Sequence, residues 1–363
     1  MNINMETEFY LPMLKSKAGE FAALSKLSME HKKRVIPLFE VTHIEFDHAN
    51  NNKPKTLKEH LLNFSKKVVK GWPANKLFID TNFINDKSVD GTECIEFIFS
   101  ELSKNGIFPM PVVYTSSQPK LLGSVNKILE TNPMKEIGIR VTIEDIISIS
   151  FEENINNILT QLKTSFTNCH IILDLKNADF SQKEDFAEAI IDELKGFPSL
   201  EKWKSFTIAG GAFPSIGTIK TEEQLVPRND WNFYIYVIEK LSKEVFNRPI
   251  NYGDYSIVAP GYFEFDPVKM KVSANIRYTH DNHWLVLKGK ALKKSADWQQ
   301  YFGQAQRIID SKYYLGENFS DGDLHIKKCA NRETTSGNAN TWIAVGNNHH
   351  FTKVLTDLFS KNS

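Results

Sequence analysis

Short, nearly continuous apolar runs recur along the chain, and most close on a charged residue before a stretch with helical spacing begins. The runs are Phe9–Leu14, Val35–Val41, Leu77–Asp80, Met110–Thr115, Ile137–Val141, Cys169–Leu175, Ser205–Ala209 and Tyr255–Ala259. Runs without polar alternation mark strands buried on both faces, the signature of a parallel sheet. Helical patterns fill the gaps: Gly19–Lys32, Leu57–Lys70, Thr92–Lys104, Pro119–Leu129, Ile155–Phe166, Lys183–Leu194 and Trp231–Val245. Parallel neighbours require such crossovers, so the alternation predicts an α/β fold. No GxGxxG follows the first run, and eight is the number at which a parallel barrel closes, so a (β/α)8 TIM-like barrel over residues 1–260 is preferred to an open doubly wound sheet.

Beyond Ala259 the period changes. Val272–Thr279 and Trp284–Lys288 read as a hairpin turning at His280–His283, followed by a helix over Ala296–Asp310. Residues 261–347 are therefore read as an elaboration after the eighth strand. Residues 348–363, with a helix over Phe351–Phe359, are read as closing the barrel domain. Two helix starts carry cap signals, Ser181 ahead of Lys183 and Asn229-Asp230 ahead of Trp231.

The 363 residues are 41% hydrophobic, enough for one large core, and 44 Lys plus Arg balance 44 Asp plus Glu. That balance removes a whole-molecule field drawing the protein to nucleic acid or to an anionic membrane and leaves only local basic sites. Three scattered cysteines, Cys94, Cys169 and Cys329, form no CxxC spacing, which fits a reducing compartment and excludes a thiolate zinc site. With no basic-then-apolar leader and no run of membrane-spanning length, a cytoplasmic location is expected.

Barrel geometry locates the chemistry at the strand C-terminal ends. Glu40, Asp80, Arg140 and Asp174 lie there, and Lys15 follows the first strand. Three converging carboxylates repel unless something compensates, and two readings are open. In one, Glu40, Asp80 and Asp174 hold Mg or Mn as the catalytic centre of a hydrolase or phosphodiesterase acting on a nucleotide or nucleic-acid end. Lys15 and Arg140 then contact phosphate. In the other, the charges pair with one another and fill the top of the barrel.

Gly210 and Gly211 after the seventh strand suit backbone approach to a phosphate, or alternatively a tight turn with positive φ. Arg277 is the better ligand contact of the Arg277-Tyr278 pair, and His349 and His350, just ahead of the last predicted helix, suit an anion at a helix N-terminus. Asp321-Gly322-Asp323 reads as a turn, and Asp254, at the start of its predicted strand, as support at the far face. The chain lacks GxSxG, HExxH and P-loop motifs.

Several segments together resemble the phage-associated Beta protein family. They are Tyr10–Lys15 with Gly19-Glu20 and Ala23-Leu24, Ile36–Glu40, Gly253–Tyr255, Ile276–Thr279, Phe319–Asp323 and Asn348–His350. The likeness spans nearly the whole chain. It implies a component of prophage or satellite antiphage defence whose protein partner, a toxin or defence effector, is encoded nearby. The resemblance carries no reaction, so it assigns no catalytic residue.

Overall fold

The computed structural model describes residues 7–44, 55–73, 76–243, 248–261 and 272–359. Eight parallel strands close into a barrel: β1 (Tyr10–Leu14), β2 (Leu38–Glu40), β3 (Phe78–Asp80), β4 (Met110–Tyr114), β5 (Ile137–Val141), β6 (Cys169–Asp174), β7 (Ser205–Gly210) and β8 (Asn251–Asp254). Each pairs with its sequence neighbour, and β1 pairs with β8 to close the ring. Strand residues alternate between two cores, as a period of two requires. Leu11, Met13, Leu38, Phe78, Met110, Val112 and Ile172 fill the barrel. Tyr10, Phe39, Ile79, Val113, Ile139, Ile171 and Ile208 belong to the larger core shared with the helices.

The eighth strand lies four residues earlier than its apolar run suggests. Tyr255–Ala259 is loop, with Ser256 at φ 57°, whereas the polar-looking Asn251–Asp254 segment pairs with both β1 and β7. The Asn251 amide oxygen accepts from the backbone of Glu8 and Phe9 at 2.9 and 3.1 Å, whereas its Nδ2 is buried without a hydrogen-bond partner among the described residues. Gly253 fits where a Cβ would lie 2.9 Å from that of Ala209. Asp254 therefore ends its strand rather than beginning it, which overturns its assignment to the far face.

The elaboration is a three-stranded antiparallel sheet in the order Glu223–Pro227, His283–Ala291, Ser273–Thr279. The hairpin follows its sequence signal. Its outer strand Glu223–Pro227 precedes β8 in the chain and carries no separate apolar run. The last helix spans Ala339–Phe359, so His349 and His350 sit in its middle, not at its N-terminus. It packs on the helix Ala18–Ser25, where Asn348 Nδ2 donates to Ala23 O at 3.0 Å. Asp321-Gly322-Asp323 opens the helix Asp321–Ala330 behind the N-cap Ser320 and is not an isolated turn. Ser181 does not cap the following helix; it lies within a 3-10 turn capped by Asp179. The predicted helix end at Val245 lies outside the described residues. Among the described residues, no helix is long and apolar enough to cross a membrane.

Candidate functional site

The inward parity of each strand extends one step past its apolar residues into a polar top layer. Positions 9, 11 and 13 lead to Lys15; 36 and 38 to Glu40; 78 to Asp80; 110 and 112 to Tyr114; 138 to Arg140; 170 and 172 to Asp174; 207 and 209 to Gly211; 251 and 253 to Tyr255. Seven of these eight positions carry polar side chains, and the eighth is glycine because a Cβ on Gly211 would stand 2.8 Å from Pro260 and 3.1 Å from the Tyr255 ring.

Arg140 is the hub. Its Nη1 donates to Glu40 Oε1 at 2.9 Å, Asp80 Oδ2 at 2.7 Å and Tyr114 Oη at 3.0 Å. Nη2 donates to Asp174 Oδ2 at 2.7 Å and Tyr255 Oη at 2.8 Å, and Nε reaches Asp174 Oδ2 at 3.1 Å. Lys15 pairs with the other oxygen of Glu40. The remaining oxygens of Asp80 and Asp174 accept backbone amides from Asn82 and Lys176, each at 2.9 Å. None of Lys15, Glu40, Asp80, Arg140 and Asp174 exceeds 6% exposure, so each partner matters, because an unpaired buried charge is costly.

Three carboxylates face two cations, which leaves one negative charge in excess when all are ionised. Burial pushes the Asp80 carboxyl up, opposed by Arg140 and helped by Glu40, and Tyr114 Oη donates to it at 2.5 Å. Burial also acts to raise Glu40, but Arg140 and Lys15 outweigh it and hold Glu40 below the ordinary range. One oxygen of each carboxylate is committed to Arg140 and the other to Lys15 or a backbone amide, and among the described residues no group of three or more His, Cys, Asp or Glu is disposed to hold a metal.

Of the other sequence candidates, Gly211 alone shares the top layer. The Gly211 amide donates to Lys176 O at 2.8 Å, and a Cβ on Gly210 would stand 2.7 Å from the Phe180 ring. Neither glycine has positive φ, so close packing selects them, not a tight turn. Arg277 Nη1 donates to Ile257 O at 2.6 Å and Nε to Asn275 at 3.0 Å, with the guanidinium over the Phe213 ring. Burial pushes its pKa down to about 10.

His349 and His350 form a buried seam between barrel and elaboration. His349 pairs with Asp323 at 2.8 Å and stacks on Tyr278, and His350 bridges Asp254 at 2.9 Å and Thr279 Oγ1 at 2.8 Å. Asp254 has the outward parity of Tyr252, which is why it meets Tyr10 Oη and His350 among the helices rather than the mouth.

Beside the mouth lies a cleft of about 570 Å³ between the loop after β1 and the helix Leu57–Gly71. Lys15, Lys17, Lys55, Lys66, Lys67 and Lys70 line it together with His60, and among the described residues no carboxylate does. Lys15 belongs to both the cleft and the top layer. Sequence reasoning named Lys15 alone, although His60, Asn63, Lys67 and Lys70 recur at the helical spacing that defines one face.

The closed barrel and its self-paired top layer define a (β/α)8 protein with a basic cleft at the rim of its mouth. The chain belongs to the Beta protein family, whose model matches residues 10–356. No curated protein matches it. Among solved structures, one that is similar is the N-terminal domain of a proposed aldolase from Bacteroides vulgatus, at 10% identity over 98% of each chain and a TM-score of 0.32. A likeness at that score says nothing about chemistry, and the barrel stands on its own strand pairings.

Proposed function

We propose that this protein is a non-catalytic, cytoplasmic component of a prophage or satellite antiphage defence system that binds a phosphate-bearing anion in the cleft beside its barrel mouth. The observation that carries the binding reading is the lysine lining: Lys17, Lys55, Lys66, Lys67 and Lys70 line one cavity beside the Glu40-paired Lys15, and among the described residues no carboxylate lines it. Its volume suits a small ligand or a segment of a larger one. The excess of one sign focuses an anion there although the chain as a whole is neutral.

The top layer supports a scaffold role better than catalysis. Arg140 and Lys15 spend their donors on carboxylates, and those carboxylates spend their oxygens on Arg140. A metal-dependent phosphodiesterase would need the same oxygens. The defence context and the neighbouring toxin or effector come from the family resemblance.

Calorimetric titration with inorganic pyrophosphate tests the binding reading. Wild type should bind, K66E/K70E should lose binding with unchanged melting, and absence of wild-type binding would remove the reading. The defence role is tested by phage challenge of cells carrying wild type or K66E/K70E, with co-purification of the neighbouring gene product.

A further inference from the structure

We infer that the cleft takes a single nucleic-acid strand, held through consecutive phosphates, rather than a mononucleotide. This rests on the anion-binding reading above and specifies its ligand. The first ground is extent. His60, Asn63, Lys66, Lys67 and Lys70 all line the cleft from one helix, and at the rise of an α-helix the stretch from His60 to Lys70 covers roughly 15 Å. Lys17 stands across from it on the loop after β1, and Lys15 continues the cationic line to the mouth. A linear array of this kind matches a repeating charge better than a single compact one.

The second ground is charge. Lys66 and Lys70 are exposed without an ion pair among the described residues, so their charge is open to a repeating anion that runs along the helix. Phosphate contacts of this type release counterions and give sequence-independent, salt-sensitive binding.

The third ground is the lining's ring content. Among the described residues the only phenyl ring in the lining, Phe64, is 3% exposed and belongs to the core between barrel and helices, and the His60 ring is half-buried with Nε2 2.9 Å from Thr42 O. The described lining therefore offers no exposed phenyl or indole face, in contrast to single-strand binders that grip bases through aromatic side chains. The strand is read by its backbone, and its bases point away from the wall.

Fluorescence anisotropy tests this with a labelled oligonucleotide of roughly twelve nucleotides, against ATP and a duplex of equal length as competitors, over a range of salt. The oligonucleotide should bind more tightly than ATP or duplex. Poly-dA and poly-dT versions should differ little. The slope of log K against log salt should shrink by about 0.7 for each of K66A and K70A, the value for one single-strand phosphate contact. Both side chains are exposed, and unchanged thermal melting verifies that the variants fold. If pyrophosphate and ATP bind but the oligonucleotide is no tighter than ATP, the strand inference is wrong and the anion reading survives. Tighter duplex binding, or a salt slope indifferent to both lysines, also overturns it. If no anion binds, both fall together.

Discussion

Replacing Arg140 by Met tests the top layer most directly, because it removes the cation while keeping most of the side-chain volume. The substitution leaves Glu40, Asp80 and Asp174 facing Lys15 alone, all buried. Removing one partner of a buried pair costs about 3–5 kcal/mol, and here three carboxylates lose their common partner, so the upper part of that range applies. Against a total stability of about 5–15 kcal/mol, the variant should be marginal at neutral pH.

The sign of the pH dependence follows. Without Arg140, burial raises the folded-state pKa of these carboxyls above their unfolded values, so the protonated layer is tolerated at low pH. Stability then falls as pH rises past the ordinary carboxylate range. Urea denaturation of R140M should show a smaller deficit at acid pH than at neutral pH. Adding D80N and D174N, which leaves Lys15 and Glu40 as a matched pair, should restore most of the loss. Neutral-pH stability of R140M within about 0.5 kcal/mol of wild type, a change small enough for an ordinary surface substitution, would refute the account. So would a triple variant no better than the single one.

Two further outcomes follow from other parts of the fold. Glu136 at the opposite end of the barrel is held down to about 2, first by its hydrogen bond with His170; its contribution is present above the unfolded value of 4.5 and is lost as pH falls through about 2. Melting of E136Q should therefore lie below wild type at neutral pH and converge with it in acid. Gly322 lies where a Cβ would stand 2.5 Å from Val345 O of the last helix, so G322A should cost roughly 1–3 kcal/mol in chemical denaturation, as overpacking does, and an unchanged midpoint would contradict this packing.

The barrel was legible in the sequence because seven of its strands are apolar runs bounded by helical periodicity, and periodicity is a local property. The charged members of the top layer were legible for the same reason: each stands at a strand end, where the fold places its mouth. The period of two also held a signal that the end-of-strand reading passed over, since it carries Met110 and Val112 on to Tyr114 and singles out Tyr255 once β8 is placed.

What the sequence could not carry was partnership. Asn251–Asp254 is a strand only because β1 and β7 flank it and pair with its backbone, while Tyr255–Ala259, more apolar, follows as loop. His349 and His350 look like a helix start until Asp254, Thr279 and Asp323 take up their ring nitrogens inside a longer helix. Glu40, Asp80 and Asp174 beside Arg140 left a metal site and a set of ion pairs both open in the sequence, and the tertiary structure brings all three carboxylates onto the one guanidinium. Local patterns record hydrophobicity and spacing, whereas the state of a buried charge depends on whatever distant segment folds against it.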